Sequence, residues 1–256
     1  MCRFLLSFLF LLVVATGGSA VRPFRTESFY GNVRTLQVRL SGDPLAPPVA
    51  LLGHDEGIVI SFDMLADDPE YLYYRIVHCN ADWTPSGLSD VEYIDGFNGL
   101  PVDDYSLSFN TYRNYVHYRI ALPNEEVRFR LSGNYAVLVY PEGNPDSLLL
   151  TACFSITENL VALGCEITTR TDVDYNKAHQ QLSFKVMYPR YEIRNPREEL
   201  KVSITTNVGY DDGVTVSQPL YARNQELEYA HTPRLVFPAG NEYRRFETVS
   251  RHYNTI

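Results

Sequence analysis

Apolar and polar positions alternate with a period of two through most of the chain, the pattern of half-buried strands rather than helices. Residues 34–40 (RTLQVRL), 58–65 (IVISFDML), 71–79 (YLYYRIVHC), 134–141 (NYAVLVYP) and 148–156 (LLLTACFSI) carry it most clearly. In 58–65, Ile58, Ile60 and Phe62 share one face and Val59, Ser61 and Asp63 the other. Residues 105–110, 116–121 and 127–130 read as further strands, and 91–94 as a short extended piece. The intervening EGNPDS, with Gly143, Asn144 and Pro145, predicts a hairpin between 134–141 and 148–156. Turn residues recur about every ten positions, and no segment sustains a helical period.

The same pattern resumes at 160–168, 181–188, 200–206, 214–220, 234–237 and 243–249, with a Pro-broken turn over 192–198 and a polar stretch over 222–229 (ARNQELEY). The expected fold is all-β: two tandem antiparallel β-sandwich domains of immunoglobulin or fibronectin III type, 28–158 and 159–256. An arm, 21–33, precedes them and is expected to order where Phe24, Phe29 or Tyr30 dock. The second domain ends abruptly at Ile256 with no closing loop or tail.

Composition agrees with strands, since 19 Tyr and 13 Phe stand against 3 Met. A formal charge of -9 argues against nucleic acid, whose binding depends on Lys and Arg. Residues 1–20 form a signal peptide: a positive start at Arg3, an apolar run over 4–15 and small residues ending at Ala20. Cys2 precedes the apolar run, so no lipid anchor is expected, and no later stretch resembles a membrane helix. The mature chain is therefore expected to be exported. Its Cys79, Cys153 and Cys165 allow at most one internal disulfide and leave one thiol.

Candidate chemistry centres on the loop after 71–79, which holds the only Trp, Trp83. Trp83 with Tyr93, Phe97, Tyr71 and Tyr73 could form an aromatic platform of the kind that binds sugars, or Trp83 could be pinned by its own loop. Asp82, Asp103 and Asp104 complete the set of candidate interface or loop-pinning residues. The other clusters carry less. His54-Asp55-Glu56 lies in a Gly-flanked turn, and His78 and Cys79 point to opposite faces of a strand. Asp103-Asp104 and Asp172-Val173-Asp174 fall well short of a calcium loop. No G-x-S-x-G, phosphate-binding glycine loop or H-E-x-x-H is present. No catalytic residue, metal or cofactor is expected.

The residues YYRIVHCNADWTPSGLSDVEYIDGFNGLPVDDYSLSFNTY (73–112), HYRIALPNEEVRFRLSGNYAVLVYPEGNPDSLLLT (117–151), TDVDYNKAHQ (171–180), NPREELKV (195–202) and FPAGNEYRRFE (237–247) resemble the plug protein family of the Bacteroidetes type IX secretion system. The resemblance runs in order from about Arg34 to the chain end. It implies a non-enzymatic periplasmic protein that docks on the outer-membrane translocon barrel and closes its periplasmic opening while idle. An outer-membrane shuttle barrel would occupy the translocon in the alternative state. Family members continue past the position of Ile256, so the resemblance implies a C-terminally truncated chain, and the family offers no catalytic residues to transfer. The competing reading is an exported carbohydrate-binding or adhesion module that uses the Trp83 loop.

Overall fold

The computed structural model describes residues 22–54, 56–206 and 209–239. The expected signal peptide, the strand expected at 243–249 and the end of the expected second domain lie outside them. The described residues fall into two compact units, one comprising residues up to Pro48 with Ile58–Ser155, the other Val49–Gly57 with the residues from Ile156 onward.

Through residue 157 the strands are β1 (Glu27–Ser28), β2 (Val33–Leu40), β3 (Val49–Leu51), β4 (Ile58–Met64), β5 (Leu72–Cys79), β6 (Ile94–Gly96), β7 (Leu100–Pro101), β8 (Asp104–Leu107), β9 (Val116–Leu122), β10 (Val127–Phe129), β11 (Gly133–Pro141) and β12 (Leu150–Thr157). One sheet of the first unit has the order β1-β12-β11-β5-β7 and the other β2-β4-β9-β8, with β6 and β10 paired separately. The registered pairs among them are antiparallel. The hairpin expected between 134–141 and 148–156 is the neighbouring pair β11 and β12.

The period-two pattern decides what is buried. In β4, Ile58, Ile60 and Phe62 are fully buried, and Phe62 stacks on Tyr118 of β9 at 5.2 Å. In β5, Leu72, Tyr74 and Ile76 face the core while Arg75 is exposed. Tyr135 of β11 stacks on Phe154 of β12 at 5.7 Å, and Phe129 of β10 meets both rings edge-on. Each such ring brings about 150–250 Å² into the core of the sandwich.

Three local expectations need correction. The extended piece at 91–94 is a turn of helix, α1 (Asp90–Tyr93), passing into β6. Ser89 nucleates it: the Glu92 carboxylate accepts both the Ser89 backbone N–H and its hydroxyl at 2.7 Å. The clean alternation of 34–40 is interrupted by a bulge between Arg34 and Gln37, where Thr35 has φ 50° and its hydroxyl bonds Asp63. The strand expected at 105–110 ends at Leu107.

In the second unit, β13 (Ala162–Thr168) and β14 (His179–Met187) form a hairpin. After α2 (Pro196–Glu199) come β15 (Val202–Thr206), β16 (Gly209–Val216), β17 (Tyr221–Arg223), β18 (Glu226–Tyr229) and β19 (Val236–Pro238). The order β13-β14-β18-β17 makes one sheet and β15-β16 the other. Their inner faces meet in one cluster: Phe184, Val186, Leu227 and Tyr229 from the first, with Val202, Ile204, Val214 and Val216 from the second. Phe184 stacks on Tyr229 at 4.6 Å. The polar stretch 222–229 folds into the β17–β18 hairpin, whose turn uses Gln225 at φ 58° in place of a glycine. The β13–β14 loop is held by its own side chains. Buried Gln181 accepts the Asp172 N–H and donates to the Asp172 carboxylate, both at 2.7 Å, and His179 Nδ1 lies 2.8 Å from Asp174.

Candidate interaction site around the Trp83 loop

Strand β5 leads straight into the Trp83 turn, which its own polar groups fold. Asn80 N–H donates to the Thr84 carbonyl at 2.8 Å, and Trp83 N–H donates back to Asn80 at 3.0 Å. The Asp82 carboxylate accepts the Thr84 N–H at 3.1 Å and its hydroxyl at 2.6 Å, an Asx turn that the N-x-D-x-T spacing encodes. Asn80 Nδ2 adds bonds to Thr84 Oγ1 and to the Pro85 carbonyl. The closure holds Trp83 at φ 64°, a left-handed conformation that a bulky residue adopts only when its surroundings impose it.

Trp83 is half-buried, neither a core ring nor a fully presented one. Its carbonyl accepts the Phe24 N–H at 2.9 Å, which ties the N-terminal arm to this loop. The arm continues through β1 against β12, through Thr26 Oγ1 accepting the Cys153 N–H at 3.0 Å, and through Phe29 N–H to the Leu149 carbonyl. Backbone bonds hold it more than rings do, since Phe29 and Tyr30 remain about half exposed.

Below the turn His78 organises the packing. Its Nδ1 lies 2.9 Å from Ser86 Oγ and its Nε2 3.3 Å from the Ser132 carbonyl. A carbonyl only accepts, so Nε2 carries the proton and Nδ1 accepts from Ser86. The ring also contacts Tyr93 at 5.7 Å and Tyr135 at 5.1 Å. Gly133, at φ +145°, lets the ring in: a Cβ there would sit 2.4 Å from Nε2. Cys79 is buried, and burial pushes its thiol up to about 11, so it stays protonated at neutral pH.

Tyr93 and Phe97 part company. Tyr93 is 3% exposed and donates its hydroxyl to the Ile76 carbonyl at 2.9 Å, so it cannot belong to an open platform, whereas Phe97 is 71% exposed. Burial, then Asp90, raises the Tyr93 hydroxyl pKa; burial does the same to Tyr135. Between Tyr93 and Phe97, Gly96 at φ +120° passes so close to the Glu126 carbonyl that a Cβ would lie 1.8 Å from its oxygen. Asn98 then bonds the backbone of Ile76 twice, accepting its N–H at 2.7 Å and donating to its carbonyl at 2.8 Å. The segment thus continues the β5–β7 pairing with a side chain in place of a strand.

Asp103 and Asp104 lie at the start of β8, and both are exposed. Asp104 pairs with Arg119 at 3.1 Å on the surface, an interaction worth about 0–1 kcal/mol. The candidate set therefore separates into a latched turn (Asp82, Trp83), a buried pin (Tyr93), an exposed ring (Phe97) and the β8 region. Sequence reading missed His78 with Ser86, Gly96, Asn98 and Gly133 as the residues that fix the loop. Among the described residues no group of three or more His, Cys, Asp or Glu could hold a metal ion, and no helix is long and apolar enough to cross a membrane. Cys79 is buried, Cys153 partly buried and Cys165 exposed, and the three are not joined by a disulfide in this structure.

Residues 33–158 match the family model described as the first domain of the type 9 secretion system plug protein. A crystal structure of a hypothetical protein from Parabacteroides merdae is similar at 40% identity and TM-score 0.85, over 92% of this chain. The chain spans 59% of the length of that protein's chain. A DNA-bound alkylpurine DNA glycosylase of Pseudomonas fluorescens aligns at 15% identity and TM-score 0.24, over 49% of this chain and 30% of its own. No curated protein matches.

Proposed function

The chain belongs, through residues 33–158, to the type IX secretion system plug protein family, and from that premise we propose that it is a non-enzymatic plug. In this reading it is exported by its signal peptide to the periplasm and closes the periplasmic opening of the outer-membrane translocon barrel when no substrate is in transit. The barrel then alternates between the plug and an outer-membrane shuttle barrel. The observation that carries the reading is the family match, which covers nearly the whole of the first sandwich.

The physics of that sandwich suits obstruction. A domain of about 130 residues has a radius of gyration near 14 Å, so its bulk can fill a wide opening without chemistry. Its loops are tied to the scaffold by the bonds around Asp82, His78 and Asn98, so they need little ordering when a partner binds. In the same reading Trp83 and Asp82 serve to pin their loop and the arm. A stable seal requires roughly 1,600 Å² of buried surface or more. Release requires that the translocon bind the plug differently in its idle and loaded states, because equal binding shifts nothing.

Deleting the gene should make the outer membrane permeable to large antibiotics, and affinity purification of the tagged chain from outer-membrane extract should recover the barrel. An intact permeability barrier together with an empty pull-down would overturn the reading.

A further inference from the structure

The hairpin β8–β9 projects apolar side chains that the first unit does not cover. Tyr105 and Leu107 oppose Tyr118 and Val116, both fully buried, and so continue the core face of their sheet. They are nevertheless 48% and 59% exposed, and at the tip Phe109 and Tyr112 reach 93% and 104%. β8 also ends its sheet, and among the described residues no strand pairs with its outer edge.

The tip is held in place. Ser108 N–H donates to the Tyr115 carbonyl and Tyr115 N–H to Ser108 Oγ, both at 2.9 Å. The Thr111 hydroxyl donates to the Arg113 carbonyl at 2.8 Å, and Asn114 Nδ2 reaches Asp67 at 2.9 Å. A slack loop would let its rings collapse onto the domain. This one holds them in water, where each would gain about 150–250 Å² of burial against a partner.

We propose that the β8–β9 tip is the docking element of the plug, with Phe109 and Tyr112 entering an apolar pocket, rimmed by basic residues, on the periplasmic side of the translocon barrel. The assignment rests on the plug reading. Charge selects a protein over a lipid surface: the chain carries -9, Asp67 touches the tip and Asp103 precedes β8, while Arg113 is the loop's own cation. Anionic lipid headgroups attract basic segments and repel acidic ones. Rigid aromatic anchors beside an Arg are the usual hot spots of protein interfaces.

The test compares the full chain with the double variant Phe109→Ser/Tyr112→Ser. Retention of the detergent-solubilised barrel should fall at least tenfold with an unchanged melting temperature. A photo-crosslinking phenylalanine analogue at position 112 should capture the barrel in cells. Undiminished retention by the double variant overturns the assignment. So does capture of the barrel from position 97 but not from 112; both results leave the plug reading standing. Failure of the wild-type chain to retain the barrel removes this assignment, and together with an intact permeability barrier in the deletion strain it removes the plug reading as well. Binding to phosphatidylethanolamine–phosphatidylglycerol vesicles that the double variant abolishes, with barrel retention intact, would make the tip a lipid element instead.

Discussion

A methyl group at position 96 would have to sit 1.8 Å from the Glu126 carbonyl, and one at 133 would sit 2.4 Å from His78 Nε2, each on a backbone with positive φ. Gly96→Ala and Gly133→Ala should therefore each cost about 2 kcal/mol or more, measured by urea denaturation. Trp83 fluorescence is a convenient reporter, since it is the only Trp. Gly53, whose added Cβ would meet nothing within 4 Å, is the control for strained φ alone. Thiol chemistry separates residues in the same way. Cys165 is exposed while Cys79 is buried with its pKa near 11. A maleimide should modify Cys165 in the folded protein and reach Cys79 only on unfolding, as read by mass spectrometry.

Between β13 and β14, carboxylate hydrogen bonding makes the loop's stability depend on pH. Bonds from Gln181 and then His231 hold Asp172 below its ordinary value of 3.8, and His179 foremost does the same for Asp174. A depressed folded pKa contributes stability that is present above about 4 and lost as pH falls through the folded value. Asp172→Asn with Asp174→Asn should thus lower the melting temperature at pH 6, and the gap to wild type should shrink toward pH 2.5. Elements of this kind also show what could be read from residue order. β4 and the β11–β12 hairpin were legible because alternation and a Gly-Asn-Pro turn are local signals. The α1 turn had a local signal too, the Ser89-x-x-Glu92 spacing, which strand-like neighbours masked. The β17–β18 hairpin hid because Gln225 occupies a left-handed position normally given to Gly or Asn. In the candidate site, the Asp82 turn could be inferred from spacing. The His78–Ser132 and Asn98–Ile76 contacts join residues 54 and 22 positions apart, and nothing local announces them.

Each sandwich closes its own core, so each can be weakened at its own centre. Leu227 is fully buried in the second cluster, and Leu227→Ala should cost about 2–5 kcal/mol, seen as lost hydrogen-exchange protection along β14 and β18. At the same scale, the double bond from Asn98 to Ile76 bears on how the protein behaves at high concentration. A strand flank with free donors and acceptors is a template for the next molecule, and here one amide side chain occupies both groups where β7 has run out. With Asn98→Ala, refolding at high concentration should scatter light and bind thioflavin while dilute samples still fold. The residue that latches a loop in one molecule should thereby also keep many molecules from polymerising.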